Sequence, residues 1–271
     1  MLLEKVQWAR FQGMTVDDIA DRLTDDVVDT LLAIQEAERE QEHYERFGYF
    51  FPDETVYVGE TVAHARRLYP KHLEFFRKGA EVRARCFMAG NRTGKTEAGA
   101  FEATCHLTGQ YPHWWEGKRF RHPIRAWACG KTNETTRDIV QTKLLGDVAY
   151  SGARKGLDGS GMIPRDCIGS LPGQITWKQG VADLVDTIRI KHVSGGWSKL
   201  GLKSYQQGRG SFEGTAQHLI WDDEEPPMDI YSEQVIRTAT TKGILMITFT
   251  PLAGMSDVVQ QFLPDDRDVL A

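Results

Sequence analysis

Apolar positions divide the chain into two regimes. Over roughly the first 50 residues they recur at three- and four-residue spacing: Val16, Ile19, Ala20 and Leu23, then Val27, Val28, Leu31, Leu32 and Ile34, followed by a charged run from Glu36 to Glu45. That spacing predicts amphipathic helices, with Thr15 as an N-cap. Gly13 to Ala20 has the outline of a helix-turn-helix start. Its second helix is acidic, however, where a DNA-reading helix presents Arg or Lys to phosphates. A helical lid or docking surface is the plainer expectation. An aromatic-rich connection with Pro52, Gly48 to Gly59, closes this region.

From Arg83 onward short apolar runs alternate with helical stretches. Cys86 to Ala89 precedes a helix over Thr96 to Leu107, and Ile124 to Cys129 precedes one over Thr135 to Leu145. This alternation predicts βαβ units and a parallel sheet covered on both faces. Residues 150–173 are rich in Gly, Ser and Pro and predict a loop. Gln174 to Trp177 and Thr187 to Val193 alternate as a hairpin would around Gly180. Two further buried strands are expected at Leu219 to Trp221 and Ile244 to Phe249. The expected class is α/β: a mostly parallel sheet flanked by helices over residues 59–271, with a helical N-terminal appendage over residues 1–58.

Composition narrows the chemistry. The 271 residues are 41% hydrophobic and 26% charged, with a net charge of -5. The whole chain is therefore not a basic nucleic-acid binder, and any DNA contact needs a local patch. The four cysteines, Cys86, Cys105, Cys129 and Cys167, form no C-x-x-C pair and read as packed thiols. No stretch reaches the ~20 apolar residues of a membrane span, and no signal-peptide pattern is present.

Three segments carry candidate chemistry. Ala89-Gly90-Asn91-Arg92-Thr93-Gly94-Lys95-Thr96 fits G-x-x-x-x-G-K-[ST] except for Ala at the first glycine. A strand enters it and a helix leaves, as a phosphate-binding loop requires. Gly94 lets backbone N–H groups converge on a phosphate, and the helix dipole adds attraction. Lys95 would reach the β- and γ-phosphates, and the Thr96 hydroxyl would ligate Mg²⁺. A chance Gly-Lys-Thr turn before a helix is the alternative.

Asp222-Asp223-Glu224-Glu225 follows three apolar residues, so the acids are expected to emerge at a strand end, where ligands of open α/β sheets bind. Asp223 is the expected Mg²⁺ residue and Glu224 the residue that polarises an attacking water. A solvated acidic turn is the alternative. The third segment, Ile244 to Phe249, runs into Thr250-Pro251. Thr250 at that strand tip would sense a terminal phosphate; a strand end without ligand role is equally open. The cradle and the acids are expected to face each other across the tips of neighbouring strands.

Together these segments resemble the ATPase motifs of the large terminases, the DNA-packaging motors of tailed bacteriophages. Thr248 to Met255 and Tyr111 to Phe120 are also similar to segments of that family. The resemblance runs from about Tyr69 to the C-terminus. It implies a P-loop NTPase fold of the ASCE, RecA-like type, with ATP and Mg²⁺ bound by residues 89–96, Thr96 and Asp223. Glu224 would be catalytic and Thr250 coupling.

The resemblance also implies an arginine in the phosphate loop, which Arg92 matches in kind, and an upstream adenine-reading residue, where His72 stands in place of glutamine. Arg209, within Gln207 to Phe212, is the candidate arginine finger donated to a neighbouring subunit; a surface ion pair is its plain alternative. Implied partners are double-stranded viral DNA, a portal protein, a small terminase subunit and further copies in a ring, in the host cytoplasm and away from membranes. The family's nuclease domain is expected to lie outside this chain.

Lys118, Arg119, Arg121, Arg125 and Lys131 with Trp114, Trp115 and Phe120 form a basic-aromatic patch. It would suit a nucleic acid, or else the aromatics pack a loop onto the sheet. A helicase would need a second lobe. A non-hydrolysing nucleotide-binding module is the other rival.

Overall fold

The computed structural model describes residues 47–263 except 59–60, 153 and 252–253. The helices expected before residue 47, with the Thr15 cap, lie outside the described residues.

In chain order the main elements are β1 (Val56–Val58), β2 (Thr61–Ala63), α1 (Pro70–Lys78), β3 (Ala84–Met88), α2 (Lys95–Thr108) and β4 (Arg125–Gly130). Then come α3 (Asn133–Thr135), a π-helical stretch (Thr136–Gln141), α4 (Thr142–Leu145), β5 (Val148–Ser151) and β6 (Arg154–Leu157). The series closes with β7 (Ile175–Trp177), β8 (Val185–Lys191), β9 (Trp197–Ser204), β10 (Leu219–Asp223), α5 (Met228–Ala239), β11 (Ile244–Phe249) and α6 (Asp257–Gln260).

One seven-stranded sheet organises these elements in the order β3-β11-β10-β4-β9-β8-β7. The first five strands are parallel, and β8 and β7 extend the sheet antiparallel. The α/β class and the mostly parallel sheet are thus as expected. β10 and β11 are buried at every position, which suits strands covered on both faces.

α2 fills one face. It starts after Gly94 and stops at Gly109, whose φ angles of 80° and 74° need glycine's freedom. Packing on this face is close: a Cβ at Gly99 would lie 2.3 Å from the Trp221 indole nitrogen. On the outer side of α2, that helix's Phe101 sits within an aromatic layer of Phe47, Phe50, Phe51, Phe76, Trp114 and Trp115. α5 and α6 cover the other face with Trp127, Ile220, Leu245, Ile247, Phe249 and Phe212.

Three expectations change. Residues 150–173 are not all loop: β5 and β6 pair as a hairpin turned at Gly152 (φ 59°), and Arg165–Cys167 is a 3-10 turn. These short strands bury little, so no apolar rhythm marked them. β9 was not anticipated; its Lys and Ser positions and Gly201 mask the alternation that its neighbours reveal. Asp222 and Asp223 do not emerge from β10 but belong to it and are buried (0% and 6% exposed). Among the described residues no helix is long and apolar enough to cross a membrane.

Candidate functional site

The site begins with strand alternation. Successive residues of β10 point to opposite faces, so Asp222 turns toward α5 and Asp223 toward α2. Asp222 Oδ1 accepts from Gln234 Nε2 of α5 at 2.8 Å. Burial pushes Asp222 up to about 7 against that hydrogen bond. Asp223 Oδ1 accepts from the Thr96 hydroxyl at 2.9 Å and from the Thr248 hydroxyl at 2.8 Å. Burial raises Asp223 to about 6, opposed by those two hydroxyls.

The loop Ala89–Thr96 therefore meets the acidic strand at Thr96, the second residue of α2. The two are not on neighbouring strands: β11 lies between β3 and β10, which corrects the expectation of adjacent tips. β11 contributes Thr248 at the centre of the contact, and Trp221 Nε1 donates to its hydroxyl at 2.8 Å.

Within the loop, Lys95 is 9% exposed and its Nζ donates to the Gly90 carbonyl at 2.6 Å. Thr93 Oγ1 donates to the same carbonyl at 2.9 Å. Arg92 at the loop tip has φ 59° and is exposed. Thr250, just past β11, donates from its hydroxyl to Asn91 Oδ1 at 2.9 Å, so the strand tip touches the loop. His72 of α1 is buried beside the loop, its Nε2 3.2 Å from where a Gly94 Cβ would stand. Burial holds the His72 imidazole below its ordinary range, in the neutral form near pH 7.

Glu224 follows β10 with φ 103°. A non-glycine residue in that region costs about 1–3 kcal/mol, so the surroundings must hold it. They do so on both sides: Glu224 N donates to Thr248 O at 3.0 Å, and the Tyr205 hydroxyl donates to Glu224 O at 2.7 Å. Tyr205 escaped sequence reading because it lies 19 positions away, in a turn that carried no motif.

The structure brings together residues 89–96, His72, Asp223, Glu224 and Thr250, but not Arg209. Arg209 lies in the turn Arg209–Phe212, where its guanidinium contacts Glu233 Oε2 of α5 at 3.1 Å and Glu213 at 3.9 Å.

The basic-aromatic patch divides: its aromatics and the Lys118–Arg119 end pack onto the protein, while Arg125 stands exposed on β4. Trp115 and Phe120 are core residues, Lys118 Nζ donates to Lys242 O at 2.5 Å, and Arg119 Nη2 donates to Trp115 O at 2.9 Å. Behind α2 lies a buried network that no motif announced. Arg85 of β3 contacts Glu102, Glu102 contacts His106 Nε2 at 3.0 Å, and His106 Nδ1 contacts the Tyr111 hydroxyl at 3.0 Å.

With this geometry in hand, the class is plain. Residues 86–269 match the family model "Terminase large subunit, T4likevirus-type, N-terminal", and the chain belongs to that family. The large subunit of terminase from Salmonella phage P22 is 36% identical over 269 residues, covering 92% of this chain and 49% of that protein. The chain thus spans about half the length of that relative.

Proposed function

We propose that this chain is the ATP-hydrolysing portion of a terminase large subunit, with a P-loop fold, and that its turnover drives double-stranded viral DNA into a procapsid. The observation that carries the reading is the Thr96–Asp223 contact. It joins a glycine-lysine-threonine loop to a buried carboxylate 127 residues away, the pairing an ATPase site requires.

In this reading the Gly90–Gly94 backbone and the α2 N-terminus bind the phosphates. Lys95, now turned onto Gly90, swings to the terminal phosphates. Oxygen donors suit Mg²⁺: Thr96 Oγ1 and Asp223 would hold it. Magnesium, when bound, neutralises phosphate charge. Among the described residues no group of three or more His, Cys, Asp and Glu could hold a metal; an ion shared between two protein oxygens and a triphosphate does not need one. Glu224, pinned at its amide and carbonyl, orients and polarises the attacking water. Thr250 senses the loop through Asn91, and His72 supports Gly94 from beneath. Arg92 and Arg209 supply positive charge, Arg209 to a neighbouring copy.

The partners in this reading are duplex DNA, a portal protein, a small terminase subunit and other copies in a ring, in the host cytoplasm. Steady-state ATP hydrolysis tests it. Lys95→Ala should lose nucleotide binding. Glu224→Gln should bind ATP and lose turnover by about 10²-fold or more. Equal turnover in wild type and Glu224→Gln would reject it, and ATP binding without hydrolysis by every assembled form would favour the non-hydrolysing module.

A further inference from the structure

The sheet face that α5 covers is not covered to its end. α5 lies over β10 and β11, and the Tyr205–Phe212 segment closes over β4 where Phe212 meets Trp127 edge-on at 5.7 Å between ring centres. Beyond that point β4, β9 and β8 are open and form the floor of a groove of about 560 Å³.

Strand register places three cations in one row on this floor. Arg125 of β4 is the direct partner of Lys199 of β9, and Lys199 is the direct partner of Arg189 of β8. Directly opposed residues share a face, and neighbouring strands are about 4.8 Å apart. Like charges so opposed destabilise a sheet. All three residues are exposed, and among the described residues none forms an ion pair. The next pair on the same face of the two strands adds Lys191 opposite Trp197, the latter 39% exposed. Two acids line the groove, Asp186 and Glu213. Glu213 faces Arg209 at 3.9 Å, and Asp186 acts on Lys178 and Lys203. Neither acid is ion-paired to the row, in a chain of net charge -5.

A self-repelling row has no stabilising use within the protein; it suits a polyanion laid across three strands. We propose that Arg125, Lys199 and Arg189 form a contact for the phosphodiester backbone of duplex DNA, with Lys191 and Trp197 extending it. The choice of DNA as the polyanion rests on the packaging reading above. The contact is sequence-independent, since cations on a flat strand face reach phosphates and not base edges. It is also separate from the pinned Lys118 and Arg119.

The test is fluorescence anisotropy of the full chain with a short random-sequence duplex across about 50–200 mM salt. The neutral variant Arg125→Gln/Arg189→Gln/Lys199→Gln should bind at least ~10-fold more weakly, with a log–log salt slope flatter by about 2–3. Lys199→Gln alone should give about one third of that slope change, and Lys118→Ala/Arg119→Ala none. Because it relieves repulsion, the neutral variant should melt no lower than wild type at low salt, which separates lost contact from lost fold. Unchanged affinity and slope in the neutral variant, or a wild-type chain that ignores duplex at 50 mM salt, would overturn the proposal. So would a preference for poly-glutamate over duplex, which would assign the row to an acidic protein. DNA-independent ATP hydrolysis, measured on the same preparations, reports the nucleotide-site reading separately.

Discussion

Tyr205 holds Glu224 from behind: its buried hydroxyl donates to the Glu224 carbonyl at 2.7 Å, on a residue whose φ of 103° is unfavourable without such support. Tyr205 opens the turn that leads to Arg209, so the arginine segment and the acidic strand end share one hydrogen bond. Tyr205→Phe keeps the ring packed and removes that bond together with the hydroxyl's interaction with the Asp222 carboxyl. A hydrogen bond is worth about 1 kcal/mol net, or about fivefold in rate. If the proposed ATPase reading holds, turnover of ATP should fall by that factor with KM little changed, because the loop 89–96 is untouched. Steady-state kinetics would show it, and an unaltered kcat would remove Tyr205 from the positioning role.

Arg209 makes its ion pairs from a side chain 54% exposed, so solvent screens them and they add little stability. Glu233 keeps Arg237 Nη2 at 2.6 Å when Arg209 is removed. Arg209→Ala should therefore melt close to wild type and bind nucleotide normally, while losing the turnover that depends on assembly. Comparison of hydrolysis by isolated and assembled chains checks this; equal assembled rates would leave Arg209 as a surface ion pair.

The network behind α2 sets an acid limit on stability. Phe120 N donates to the Tyr111 hydroxyl oxygen at 2.7 Å, so that hydroxyl's own hydrogen is directed to His106 Nδ1, and Nε2–H faces Glu102. Burial would push Glu102 up, but Arg85 and His106 outweigh it and hold the carboxyl below its ordinary range. His106 is depressed below its usual 6.5, chiefly by burial. In the unfolded chain His106 takes up a proton near 6.5, whereas in the native state it does so only at lower pH. The unfolded state then binds more protons, so stability falls as pH drops below about 6.5 and levels off below the folded value. His106→Gln should flatten the loss of melting temperature between about pH 7 and pH 5; an identical pH profile would contradict the assignment.

Packing between α2 and β10 gives a prediction of stability alone. A Cβ at Gly99 would stand 2.3 Å from Trp221 Nε1, in a layer where both residues are buried. Overpacking of this kind costs about 1–3 kcal/mol, and here it would also strain the indole's hydrogen bond to Thr248. Gly99→Val should lower the denaturation midpoint accordingly and weaken the Thr248–Asp223 contact. A midpoint equal to wild type would show that the helix shifts without cost.

Much of the sheet and the site was legible in the chain itself. β3, β4, β10, β11 and α2 announce themselves because a buried strand needs a continuous apolar run and a helix needs its own period. The loop 89–96 and the acids at 222–225 could be named for the same reason: each is a local grammar of a few residues. What stayed hidden was shallow or polar. The β5–β6 hairpin buries too little to leave a rhythm, and β9 alternates Lys with core residues around Gly201.

Sequence by itself determined which residues are chemically able to grip a phosphate or a cation, since composition and spacing travel with the chain. Only tertiary structure decided which of them meet. It placed β11 between β3 and β10, turned Asp223 to Thr96 and Asp222 to Gln234, set Tyr205 under Glu224, and aligned Arg125, Lys199 and Arg189 in one row. Strand order and register arise from packing between segments tens to more than a hundred residues apart. No local pattern encodes those pairings, because their free energy exists only once both partners have left water.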